Sequence, residues 1–249
     1  MNILVRTLKK ILLFMGLGSL SVKGLKLSGR NDCRPKFMSV SSLVNRHFIE
    51  HSLPNHASRV TMERALSILG GHPAVIVETG SSAWGTNSSL LFDSYVNSFG
   101  GEFSSVDIRL QPMLMLRNKC SPKSKFYCND SVDFLKKLKE SNKSGFKVDL
   151  LYLDSWDVVW SRPEASGLHG LAELLSCLDL MQEGSLLLVD DTPYDRSYFS
   201  GSASDLSDFD SHYLSYGIYP GKGAYIKSIL NSMGRGREIM HNYQLLWQF

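Results

Sequence analysis

The stretch VIVETGSSAWGTNSSLLFDSYV, residues 75–96, decides the fold. An apolar run ends in Glu78-Thr79-Gly80, passes through small polar residues, and resumes near Asn87 with helical spacing. That order spells a strand, a tight turn and a helix N-terminus, the unit with which α/β folds hold nucleotide-like ligands. A dinucleotide fingerprint would place G-x-G-x-x-G directly after the strand, so that backbone could approach a pyrophosphate. Only Gly80 and Gly85 are present here, and Glu78 beside the turn would repel a diphosphate. A ligand with a cationic centre is the better electrostatic match.

Outward from this unit, short apolar runs alternate with helical stretches. Strands are expected at AVIVE, EFSSVD, KFYCN, VDLLYLD and GSLLLVD, separated by helices such as NSSLLFDSYVNSF, DSVDFLKKLKE and GLHGLAELLSCLDLM. Such alternation implies a buried parallel sheet. After a helix in GKGAYIKSILNSM, the segment REIMHNYQLLWQF offers two strand-like runs joined near His241-Asn242, a hairpin. The expected class is therefore α/β: a Rossmann-like parallel sheet closed by a C-terminal antiparallel hairpin, with helices on both faces. Residues 1–56, interrupted repeatedly by Gly, Ser, Asn and Pro, are expected to form an extension, and residues 57–249 the compact domain. SGSASDLSDFDS, residues 200–211, is expected to be a mobile loop.

The chain has 249 residues, 43% of them hydrophobic and 20% charged, enough for one sizeable core. A formal charge of +3, with no long basic run, argues against a nucleic-acid partner. Cys33, Cys120, Cys128 and Cys177 form no C-x-x-C, which favours free thiols and a cytoplasmic location. The N-terminal MNILVRTLKKILLFMGLGSLSV puts basic residues before an apolar stretch too short to span a bilayer. It reads either as a signal-peptide core or as an amphipathic helix that touches a membrane surface or packs on the domain. The lack of a small-x-small cleavage site favours an uncleaved accessory helix.

The motifs resemble, in order, those of the class I S-adenosylmethionine (SAM) dependent methyltransferases. Glu78-Thr79-Gly80-Ser81-Ser82 is similar to their acidic, glycine-rich first turn. Asp107 ends the second strand, where a carboxylate can accept both ribose hydroxyls. Asn129-Asp130-Ser131 resembles the segment that contacts adenine, and LYLDSWD and LLLVDDTP bring Asp154, Asp190 and Asp191 to the same sheet edge. The resemblance covers residues 57–249 and is nearest to small O-methyltransferases of the macrocin and sugar methyltransferase kind (methyltransferase family 24 type). Ser82 and Trp84 stand where glycines are common, and LDSWD replaces an ending of the DGDHSY type.

The resemblance implies SAM as cofactor, held by Glu78, Gly80, Ser81, Ser82, Asp107, Asn129, Asp130 and Ser131. It also implies a divalent cation on Asp154, Asp190 and Asp191, for which the all-oxygen donor set suits magnesium (Mg2+) or calcium and not zinc. Asp154 and His169 are the expected catalytic residues, His169 as general base. The plainer readings are turn chemistry for Asp190-Asp191 ahead of Thr192-Pro193 and a surface position for His169. Gly221-Lys222-Gly223 lacks the rest of a phosphate loop and is expected to be a turn opening the last helix. The expected activity is methyl transfer to a hydroxyl of a small polar acceptor, a sugar or glycoside, chosen by the Tyr- and Asp-rich residues 192–223. A homo-oligomer is compatible with this. The competing classes are a nicotinamide oxidoreductase and a non-catalytic methyltransferase-like adaptor.

Overall fold

The structure, a computed structural model, describes residues 38–81, 85–141, 145–199 and 201–249. Five strands run parallel: β1 (Ala74–Thr79), β2 (Gly101–Asp107), β3 (Ser124–Cys128), β4 (Leu150–Leu153) and β5 (Leu186–Val189). β6 (Arg237–His241) and β7 (Leu245–Gln248) form the hairpin, with β7 antiparallel to β5. The sheet order is β3-β2-β1-β4-β5-β7-β6, the parallel sheet closed by an antiparallel hairpin that the sequence leads one to expect. Strand order reverses direction between β1 and β4, and the crevice beyond their carboxyl ends is where such sheets bind ligands.

The central strands β1, β4 and β5 are apolar at consecutive positions because both faces are covered. On one face Ile76, Phe103, Tyr152 and Leu188 pack with α1 (Val40–Glu50), α2 (Arg59–Leu69) and α3 (Ser88–Phe99), through residues such as Phe48, Met62 and Phe92. On the other, Val77, Leu151, Leu187 and Val189 meet residues from three further helices. α4 (Leu110–Lys119), which the alternation left unassigned, precedes α5 (Ser131–Ser141), α6 (Glu164–Cys177), α7 (Ala203–Tyr216) and α8 (Ala224–Ser232). Leu135 of α5, Leu174 of α6 and Ile226 of α8 complete this second layer.

Two expectations change. The compact unit begins at Met38, not near residue 57, because α1 carries apolar residues at helical spacing. Its Leu43, Val44 and Phe48 are fully buried in the core, and Ser39 caps it by accepting from the Ser42 N–H at 3.1 Å. Residues 203–211 are helical where a loop was expected: α7 starts at Ala203, nucleated by a capping box between Ser202 and Asp205. The expected accessory helix in residues 1–25 lies outside the described residues. Among the described residues no helix is long and apolar enough to cross a membrane.

α1 also fixes the turn after β1. His47 bonds the Thr86 carbonyl at 2.7 Å, Ser52 donates to the Gly85 carbonyl at 2.6 Å, and Asn87 donates to the His51 carbonyl. Beneath that turn, Glu78 shares the face of Ile76 two residues earlier and points under α3. It is fully buried and accepts hydrogen bonds of 2.5 Å from Ser88, Ser89 and Ser105. Burial, partly offset by these serines, pushes its carboxyl from the ordinary 4.5 up to about 7.

Phe48→Ala is expected to lower the unfolding free energy by about 3–5 kcal/mol in urea denaturation; a change within ~0.5 kcal/mol would return α1 to the extension. Between pH 4.5 and about 7 the folded chain holds a proton on Glu78 that the unfolded chain has released, so this group makes stability fall as pH rises through that window. Glu78→Gln removes the dependence. Relative to the parent, the variant should gain up to about 3 kcal/mol across that window, read from denaturation midpoints at several pH values; a constant difference would contradict the account.

Candidate active site

The turn at Gly80 sets the site. Gly80 has φ +82°, and a Cβ there would lie 2.2 Å from the Asp154 carbonyl oxygen, so only glycine lets the end of β1 pass this close to the end of β4. The result is a cleft of about 760 Å³ lined by Gly80, Ser81, Asp107, Ile108, Arg109, Asp154, Ser155, Asp157, Asp190, Asp191, His56 and Tyr243. Five of these are aspartates and one is an arginine, which suits a cationic ligand over a diphosphate.

Asp107, nearly buried, ends β2 in the expected position. Its Oδ2 accepts from the Ser81 N–H at 3.0 Å, and its Oδ1 from the Arg109 N–H at 2.7 Å. The Arg109 guanidinium also caps it, at 3.0 Å to Oδ1 and 2.9 Å to Oδ2. That arginine side chain is 65% exposed, so it can turn into solvent and free the carboxylate.

The other expected cofactor contacts divide. Gly80 and Ser81 line the cleft; Ser82 lies outside the described residues. Glu78 does not reach the cleft, because strand periodicity turns it into the core below. Asn129, Asp130 and Ser131 are not among the cleft-lining residues either. Asp130 caps α5 by accepting from the Asp133 N–H at 3.0 Å, and the Ser131 hydroxyl lies 3.0 Å from His169 Nε2.

His169 is thereby placed off the cleft. Its ring bonds Ser131, pairs with the buried Glu173 one helical turn along α6 at 3.5 Å, and packs on Trp156 with centroids 5.0 Å apart. The Glu173 hydrogen bond, opposed by burial, holds its pKa above the ordinary value. The histidine that faces the cleft is His56, which sequence reasoning did not single out. Its Nδ1 accepts from the Ser58 N–H at 3.3 Å, leaving Nε2 toward Gly85. Trp160 contacts Phe199 and Phe209.

Asp154, Asp190 and Asp191 do converge, with one oxygen from each within 4.8 Å of the others. A lysine sits among them. Lys222, its side chain 4% exposed, contacts Asp154 Oδ1 and lies 2.9 Å from Asp191 Oδ2. Burial opposes its charge, but the three carboxylates outweigh that and keep it protonated well above the ordinary range. Three further oxygens are also engaged: Tyr243 donates to Asp191 Oδ1, Gln244 to Asp190 Oδ1 at 2.6 Å, and Tyr152 to Asp154 Oδ2 at 3.4 Å. Burial pushes Asp154 and Asp190 upward. Asp191 adopts φ +41°, a strained backbone for a residue other than glycine. Such a donor set, already filled by an ammonium, does not fit a divalent ion. The one sequence signal for Lys222 was the pair of glycines flanking it.

No protein-family model and no curated protein matches the chain. Among solved structures it is similar to an O-methyltransferase from Bacillus cereus in complex with SAH (TM-score 0.48, 10% identity, covering 84% of this chain and 90% of that one). It is similar also to the O-methyltransferase TomG from Streptomyces achromogenes, in complex with SAM (0.46, 13%, 100% and 99%). A third is the SAH-bound methyltransferase PaMTH1 from Podospora anserina (0.45, 12%, 100% and 97%). The chain's own fold, by strand order and hairpin closure, is the Rossmann-like arrangement that its motifs led one to expect.

Proposed function

We propose that the chain is a SAM-dependent O-methyltransferase acting on a hydroxyl of a small polar acceptor. The observation that carries this reading is Asp107: a carboxylate at the end of β2, aimed by two backbone N–H groups, in an acidic cleft beside the Gly80 turn. It is built to take a ribose diol once Arg109 turns away. The acidic walls favour a sulfonium and disfavour the pyrophosphate of a nicotinamide cofactor.

SAM, when bound, supplies an already activated methyl group, so the protein's part is to bring two reactants into line. Gly80 and Ser81 let the cofactor lie against backbone, and Asp107 fixes its nucleoside end. Asp154, with its carboxyl pushed upward by burial, is the group that takes the acceptor's hydroxyl proton. His56 and Tyr243 wall the same space. No divalent ion enters this reading, since the carboxylates already hold an ammonium.

A second cavity of about 600 Å³ supports a polyhydroxy acceptor such as a sugar. It begins at Thr192, next to Asp191, and is lined by Tyr194, Asp195, Tyr213, Tyr219 and Lys227. Tyr219 stacks on Tyr213 at 4.2 Å and on Phe209 at 4.9 Å, which holds the tyrosines of this wall in place.

Isothermal titration with SAM is expected to give micromolar binding by the parent. Asp107→Ala should weaken it at least about tenfold, because hydrogen bonds to a charged group are worth about 1.5–3 kcal/mol. Arg109→Ala should tighten it by up to about fivefold, since the ion pair that must open is exposed on one side and worth at most ~1 kcal/mol. Folded protein that gives no heat would contradict the reading and leave the adaptor class. With labelled SAM, turnover on glycosides and none on catechols is expected; the reverse would contradict the sugar acceptor.

A further inference from the structure

Lys222 stands where the motif pattern calls for a metal. We propose that its ammonium is the resident cation of the Asp154-Asp190-Asp191 cluster, so that this chain assembles and uses the site without a divalent ion. The inference does not depend on which cofactor the cleft takes.

Three observations carry it. The first is position: Nζ contacts Asp154 Oδ1 and lies 2.9 Å from Asp191 Oδ2, between the carboxylates a metal would bridge. Magnesium needs about six oxygens near 2.0–2.1 Å and calcium six to eight at about 2.3–2.6 Å, and neither tolerates an ammonium among its ligands. The second is that the lysine is held. Its own N–H donates to the Asp191 carbonyl at 3.1 Å. A Cβ on Gly221 would lie 2.3 Å from that same carbonyl oxygen, and a Cβ on Gly170 of α6 would lie 2.5 Å from the Lys222 carbonyl oxygen. The two glycines therefore let the segment after β5 and α6 clamp the turn from both sides, and the lysine side chain is left 4% exposed. The third is that Tyr243, Gln244 and Tyr152 already donate to three other oxygens of the cluster, so groups of the protein itself hold the carboxylates in place.

Lys222 acts as a positioning residue. It gathers Asp154 and Asp191 into one arrangement and supplies the positive charge beneath the acceptor's side of the cleft. Unlike a metal it cannot be removed by a chelator.

The test is manganese binding, followed by the free-ion signal in electron paramagnetic resonance, with thermal melting in EDTA and in magnesium as a second readout. The parent should leave the manganese signal at its free-ion intensity, with the same melting temperature in EDTA and magnesium. Lys222→Met keeps the three carboxylates without their cation. It should melt lower in EDTA, recover with magnesium or manganese, and bind manganese at least tenfold more tightly than the parent. Lys222→Arg should remain metal-free. One manganese bound per parent chain and lost in Asp191→Asn would overturn the proposal, and so would a Lys222→Met protein as stable as the parent in EDTA. If Lys222→Met does not fold, the parent's manganese signal and the Lys222→Arg protein decide.

Discussion

Acidic side chains gathered at the carboxyl edge of a buried parallel sheet must be compensated, and much of this molecule follows from how that is done. A carboxylate taken out of water without partners is too costly to keep ionised. Glu78 is met by three serine hydroxyls and a raised pKa. Asp107 is met by two backbone N–H groups and a removable arginine. Of the three aspartates after β4 and β5, Asp154 and Asp191 pair with one buried lysine, and Asp190 lies within its field. Each solution has a different consequence: a buried support under the first turn, a ligand position that can open, and a fixed charge in the floor.

Glycine makes these approaches possible. Gly80 brings the end of β1 against Asp154, while Gly170 and Gly221 bring the Lys222 turn against α6 and the segment after β5. The strain at Asp191, with φ +41°, sits where its carboxylate meets both Lys222 and Tyr243. Backbone held in a sparsely populated region persists only when its surroundings over-determine it.

The central strands were legible because burial on both faces makes them continuous apolar runs, and the strand-end aspartates were legible because they break those runs. What escaped is tertiary. The Gly221-Lys222-Gly223 turn looks like any surface turn until α6 and the segment after β5 close on it. Glu78 looked like a ligand contact because it adjoins the turn, yet its two-residue spacing from Ile76 already put it on the core face under α3. His169 has Glu173 four residues on, a helical neighbour that claims its ring. α1 was readable from Leu43, Val44 and Phe48, but the Gly, Ser and Pro residues around it obscured the pattern. Ser202 and Asp205 likewise announced α7 within a segment whose composition suggested a loop.

We propose a nucleoside-binding carboxylate, Asp107, beside an acceptor region held by Lys222 in place of a metal. The most direct measurement is a crystal structure grown with S-adenosylhomocysteine and manganese chloride, with diffraction recorded at the manganese edge. The account predicts the ribose diol on Asp107 with Arg109 turned outward, and no anomalous peak among Asp154, Asp190 and Asp191. A manganese peak bonded to those aspartates with Lys222 expelled, or a nucleoside bound away from Asp107, would contradict it.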